Sequence, residues 1–168
     1  MAKQAYHLSE KGNSEAFARS EQLAAMIDVT LTEFENEKTL NFLILDDVDA
    51  TRELLCGLLT SVLASPKYKF EVSIYYAATA EQALQMLKKH KISLAFLDIE
   101  LPDGSGLNVL RNIKNDFPDT LSVMVSSSSS KKNVLAALEV GILGFILKPF
   151  NRVRVEEAIE NFYKKAKP

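Results

Sequence analysis

The chain has 168 residues, a formal net charge of −2, 47% hydrophobic and 25% charged residues, enough for one domain with a real core plus a modest extension. That charge gives no basis for nucleic-acid binding through bulk electrostatics, and the single cysteine, Cys56, excludes an intramolecular disulfide and any multi-cysteine metal site. No stretch approaches the roughly 20 apolar residues of a membrane helix, and Met1 to His7 lacks the apolar core of a signal peptide, so a soluble cytoplasmic protein is expected.

Residues 1–13 are polar and without pattern. From Ser14 to about Glu37 a helical pattern follows, with Phe17, Ala24, Ile27, Leu31 and Phe34 on one face. Leu40 to Leu45 reads as the first buried strand and ends in Asp46-Asp47-Val48-Asp49. Residues 50–64 read as a helix with a stripe of Leu54, Leu55, Leu58, Leu59, Val62 and Leu63. Cys56 lies inside it and reads as a buried structural thiol. Phe70 to Tyr76 is the second strand. Thr79 opens a helix that runs to His90, and its basic end suits the helix dipole.

Ile92 to Leu97 is the third strand. It stops at Asp98 and a turn cluster, Pro102-Asp103-Gly104-Ser105-Gly106. Leu107, Leu110 and Ile113 mark the next helix. Leu121 to Val125 is the fourth strand, followed by the serines 126–130. Residues 131–140 form a short helix. Gly144 to Leu147 is the fifth strand and leads into Lys148-Pro149-Phe150. Residues 152–166 form the last helix, with Val155, Ala158, Ile159 and Phe162 on one face.

Five strands alternating with five helices predict an α/β fold with a parallel sheet covered on both faces. The flavodoxin-like, doubly wound order 2-1-3-4-5 is a common solution for five such units. The expected organisation is a helical extension, 1–38, and a sheet domain, 39–168.

In a parallel sheet the C-terminal strand ends share one edge, where ligands bind. Strand one delivers Asp46 and Asp47 there, strand three Asp98, strand four Ser126 and strand five Lys148. Three neighbouring carboxylates repel each other, and a hard divalent cation such as Mg²⁺ relieves this with oxygen ligands alone. A metal, an ammonium and a hydroxyl around Asp98 form a cradle for phosphoryl oxygens, and positioning plus charge neutralisation would transfer the group to Asp98.

These residues resemble the receiver domain of bacterial two-component response regulators over about residues 39–165. The acidic pair Asp46-Asp47, Asp98 with Pro102 and Gly106 after it, Ser126 and Lys148-Pro149-Phe150 carry the likeness. The departures are Ser126 where threonine is commoner, Ser127 where alanine is usual, and a longer connection before strand two. The resemblance implies that Asp98 is the phosphoacceptor and that Ser126 and Lys148 assist it. It implies Mg²⁺ held by Asp46, Asp47, Asp98 and the Glu100 backbone carbonyl, with Ser126 and Phe145 as the switch pair. The donor would be a histidine kinase or a histidine phosphotransfer protein. The output would be a downstream protein, with neither nucleic acid nor membrane as partner.

An Asp-Asp pair or a Lys-Pro dipeptide alone is ordinarily a solvated turn, and only the assembled set rises above that. Asp49 reads as such a turn or as a helix cap. Glu100 and Ser128 occupy positions that influence phosphoryl hydrolysis in the family; otherwise they are solvated. His7 and His90 read as surface residues. The sequence ends soon after the fifth helix, so signalling through its own surface, or passing phosphate along as a shuttle or sink, is expected. Other readings are a constitutive receiver-like binding or dimerisation module, and an aspartate-nucleophile phosphatase. The phosphatase would need an aspartate where Glu100 stands. The helix of residues 14–37 is expected to pair with its copy in a homodimer or to fold back on the domain.

Overall fold

The apolar runs form strands because consecutive side chains of an extended chain point to opposite faces, and here both faces are covered. The strands are β1 (Leu40–Leu45), β2 (Val72–Ala77), β3 (Ile92–Leu97), a short pair β4 (Glu100–Leu101) and β5 (Gly104–Ser105), then β6 (Leu121–Ser126) and β7 (Gly144–Leu147). The helices are α1 (Asp49–Leu63), α2 (Ala80–Lys89), α3 (Gly106–Asp116), α4 (Lys131–Val140) and α5 (Arg152–Ala166). This computed structural model describes residues 39–127 and 130–166, which lie in one unit spanning Lys38–Pro168. The expected N-terminal helix, its apolar face and its dimer seam, and the position of Ser128, fall outside the described residues.

The main sheet has the order β2-β1-β3-β6-β7, and every neighbouring pair is parallel. Counting the sheet strands alone, this is the expected 2-1-3-4-5. In β1, Phe42 and Ile44 pack on one side against Leu55, Leu59, Val155, Ile159 and Phe162 of α1 and α5. Leu43 and Leu45 pack on the other with Ala83, Leu87, Leu110, Ile113 and Ala137 of α2, α3 and α4. Fully burying each large side chain contributes about 1.5–3 kcal/mol, which opposes the conformational entropy lost when these runs are ordered.

Several expectations shift in detail. The second strand starts at Val72, not Phe70. Before pairing begins at Leu40↔Val72, Tyr68 and Phe70 turn onto α5, with ring centroids 5.5 and 6.2 Å from Tyr163. Leu54 belongs to the sequence stripe of α1 but is exposed, while Leu55, Leu59 and Val62, spaced four and three apart, are buried. Cys56 is only half-buried, and its sulfur accepts the Tyr76 hydroxyl at 2.9 Å. His90 stacks on Tyr75, with ring centroids 4.1 Å apart. Asp49 does not cap α1: Val48 stands at the N-cap without a side-chain bond.

Helix α2 is capped as its sequence suggests. Thr79 Oγ1 accepts from the Gln82 amide at 3.2 Å, and Gln82 Oε1 accepts from the Ala78 amide at 2.8 Å, a variant of the capping box whose return bond takes the amide before the N-cap. Helix α4 ends at Gly141, whose φ of 99° lies in the left-handed region that favours glycine. Among the described residues no helix is long and apolar enough to cross a membrane.

Candidate functional site: a carboxylate and lysine cluster at the strand ends

The sheet register brings the acidic residues together. Leu45 pairs with Leu97, so the residues that follow, Asp46 and Asp98, leave the sheet side by side. Their backbones stay tied to it: the Asp98 amide donates to the Leu45 carbonyl at 2.8 Å, and the Asp46 amide to the Ala77 carbonyl at 3.1 Å. Both carboxylates are buried, each residue 3% exposed, whereas Asp47 is exposed.

Lys148 bridges the two. Its Nζ lies 2.5 Å from Asp46 Oδ2 and 2.5 Å from Asp98 Oδ2. The other oxygens accept from backbone: Asp46 Oδ1 from the Val48 amide at 3.0 Å, and Asp98 Oδ1 from the Glu100 amide at 3.3 Å. Burial pulls the lysine pKa down, but the hydrogen bonds and charges of Asp46 and Asp98 outweigh it and hold the ammonium above the ordinary lysine value. A raised value means the pair's stabilisation is complete below the unfolded lysine pKa and is lost only as pH rises through the folded one. At neutral pH the ammonium is charged.

Ser126 is the last residue of β6, fully buried and paired with Leu147. Its carbonyl accepts the Lys148 amide at 2.9 Å, so the serine and lysine reach the site from adjacent strand ends. The Lys148–Pro149 peptide bond is cis. Phe145 lies in β7, half-buried, against the core on the α2–α4 side of the sheet. Glu100 opens β4 with an exposed side chain. Thus Asp46, Asp47, Asp98 and Lys148 form one cluster, with Ser126 beside it through the backbone; Phe145 stands apart from it in the second core.

Asp46, Asp47 and Asp98 each offer an oxygen, and these lie within 4.8 Å of one another. An octahedral Mg²⁺ holds its oxygens about 3 Å apart at neighbouring vertices and about 4 Å across. The cluster therefore fits such an ion after a small contraction, or with water completing one side. Three carboxylates against one ammonium leave two negative charges, which a divalent cation balances.

Two residues that the sequence did not single out shape the surroundings. Arg52 on α1 donates to the Asp46 carbonyl and to the Asp49 carboxylate, clasping the turn that carries the acidic pair. Asp103, at the tip between β4 and β5, accepts from the amides of Ala80 and Glu81 at the start of α2. The one available signal for Arg52 was its spacing three residues after Asp49. A surface depression beside the carboxylates is lined by Asp47, Ile99, Glu100, Pro102, Ser105 and Asn133.

A doubly wound parallel sheet with an acidic cluster and a lysine at its C-terminal edge is the arrangement of an α/β domain that binds its ligand at the strand ends. Residues 42–160 match the response regulator receiver domain family, and the chain belongs to that family. It is 32% identical over 117 residues to the chemotaxis protein CheY of Bacillus subtilis, covering 70% of this chain and 92% of that one. It is 29% identical over 91 residues to the transcriptional regulatory protein CitT of the same organism, covering 54% of this chain but 40% of CitT. Among solved structures, a CheY-like receiver domain protein from Methanospirillum hungatei superposes with a TM-score of 0.66 at 29% identity, covering 77% of this chain and 98% of that one. The CheX–CheY–BeF3–Mg²⁺ complex from Borrelia burgdorferi gives 0.64 at 28%, covering 74% and 89%. Receiver domains act in two-component signalling, where they generally bind Mg²⁺ and meet histidine kinases or phosphotransfer proteins.

Proposed function

We propose that this chain is a phosphoacceptor response regulator of a two-component phosphorelay. The observation that carries the reading is the Asp46–Lys148–Asp98 cluster, with Asp47 at its open side. Asp98 attacks the phosphorus of a phosphohistidine on a histidine kinase or histidine phosphotransfer protein. Its oxygen–phosphorus bond forms as the phosphorus–nitrogen bond breaks, and the imidazole leaves. Lys148 follows the incoming charge: its ammonium, already on Asp98 Oδ2, donates to a phosphoryl oxygen. Ser126 supplies a hydroxyl donor to another. Charge-assisted hydrogen bonds of this kind are about twice as strong as neutral ones. The carboxylates of Asp46, Asp47 and Asp98 and the Glu100 carbonyl would hold Mg²⁺, which would supply positive charge to balance the transferred group. The depression beside Asp47 and Glu100 gives the donor its approach.

The phosphorylated state is read at the surface of α4, β7 and α5. Ser126 turns to the phosphoryl group and leaves space that Phe145 takes up. Exposed Leu135, Leu138, Leu147 and Val153 on those elements suit a protein partner, and they favour a switch over a plain phosphate sink or shuttle. A cytoplasmic location belongs to the same reading.

Asp47→Ala tests the metal assignment. Asp47 is exposed, so the fold should survive, and removing one of three repelling charges relieves the cluster. Mg²⁺ titration by calorimetry should show affinity lowered by about ten-fold or more, with phosphorylation lowered in step. An unchanged titration would remove Asp47 from the site.

A further inference from the structure

We propose that Asp103 is a positioning residue that fixes the loop between β3 and α3 in its metal-binding shape by tying the hairpin tip to the N-terminus of α2. The inference rests on the metal reading given above and extends it to a residue that touches neither metal nor phosphoryl group.

That loop runs from Asp98 to Gly106 and carries the Glu100 carbonyl. Its regular structure is two pairs of residues, Glu100↔Ser105 and Leu101↔Gly104. A ribbon this short has no independent stability in water. Its shape is therefore set by what anchors it. Two anchors tie the loop to its own base: the Gly106 amide donates to the Ile99 carbonyl at 3.0 Å, and Ser105 Oγ accepts from the Leu107 amide at 3.3 Å. Leu101 adds packing against the core. None of these holds Pro102 or Asp103 at the tip itself.

Asp103 does. Its Oδ1 accepts the Ala80 amide at 2.9 Å and its Oδ2 the Glu81 amide at 3.1 Å. The two oxygens take two adjacent amides of one helix, which fixes the direction of the tip as well as its distance. The donors are the unpaired first-turn amides of α2, where the helix dipole favours an anion. The Ala80 and then the Glu81 hydrogen bond hold the Asp103 carboxyl below the usual carboxylate range, so the anion persists at neutral pH. Thr79 serves a different amide of the same turn, that of Gln82, so α2 keeps a side-chain cap of its own besides Asp103. The carboxylate is best explained by what it does for the loop. The tip acts on Glu100 through Leu101 and Pro102 and through the Leu101↔Gly104 pair, so a tip free to swing would twist the ribbon and with it the Glu100 amide that donates to Asp98 Oδ1.

The test uses the full chain in three variants. Asp103→Ala removes both bonds. Asp103→Asn keeps one acceptor oxygen. Thr79→Ala weakens the same helix end without touching the hairpin. Amide hydrogen exchange in the absence of metal reads the tether, and Mg²⁺ titration by calorimetry reads its consequence. Asp103→Ala should speed exchange at Glu100, Leu101 and Gly104 and weaken Mg²⁺ binding by about ten-fold, as loss of an outer-shell support does. Asp103→Asn should fall between it and the parent. Thr79→Ala should lower the melting temperature yet leave Mg²⁺ affinity as in the parent. Parent-like Mg²⁺ affinity in Asp103→Ala, or an equal loss in Thr79→Ala, overturns the inference while leaving the metal site intact. A parent chain that binds no Mg²⁺ overturns the metal reading itself, and this inference with it.

Discussion

Gly106→Ala is expected to cost about 3 kcal/mol or more, beyond the usual range for an overpacked site. A Cβ built on Gly106 falls 1.7 Å from the Asp98 carbonyl oxygen and 2.8 Å from its carbonyl carbon. Both are backbone atoms, so no side chain can rotate away. Either α3 retreats from β3 or the Asp98 peptide moves. The first opens the core around Val109, Leu110 and Ile113, all buried. The second displaces the phosphoacceptor. Urea denaturation should show a markedly lower midpoint, and any folded fraction should phosphorylate poorly. A variant with the parent's midpoint and labelling would mean that the helix does not start as close to Asp98 as the geometry requires.

Lys148→Met should give the second large effect, one part in stability and one in phosphoryl transfer. The ammonium lies between two carboxylates that are each 3% exposed. Without it they face each other unpaired, and breaking a buried pair in this way costs about 3–5 kcal/mol. Each carboxylate then keeps only a backbone donor, the Val48 amide for Asp46 and the Glu100 amide for Asp98. Phosphorylation should fall by about a hundred-fold or more, the scale of losing one preorganised charge-stabilising donor. Denaturation curves at neutral pH and a phosphodonor time course read the two parts. Parent-like stability at neutral pH would contradict the buried pairing.

The legible parts of this chain are those where residue type and strand position coincide. Asp46, Asp98 and Lys148 each stand directly after an apolar run, with Asp47 one residue on, and a parallel sheet turns that into proximity. The alternation of strands and helices predicts a parallel sheet, and the observed order is a common solution for five such units. What stayed hidden depends on backbone atoms far along the chain. Asp103 reads as a turn residue, and its partners are amides of Ala80 and Glu81, which carry no side-chain signal. Arg52 reads as one more charge on a helix, although it holds the Asp46 carbonyl. The β4–β5 pair is two residues per strand, too short for alternation to register. Leu54 was misplaced because a stripe of six apolar residues is wider than the face that α1 buries. Phe70 has the composition of a strand residue, yet its ring is drawn into the cluster with Tyr68 and Tyr163 before pairing starts.

The most direct measurement is intact mass and peptide mapping after incubation with a small-molecule phosphodonor and Mg²⁺, run on the parent and on Asp98→Asn. The parent should gain one phosphoryl group, mapped to Asp98, only when Mg²⁺ is present, and Asp98→Asn should gain none. Equal labelling of Asp98→Asn, or labelling of the parent at another residue, would contradict the assignment of Asp98 as the phosphoacceptor.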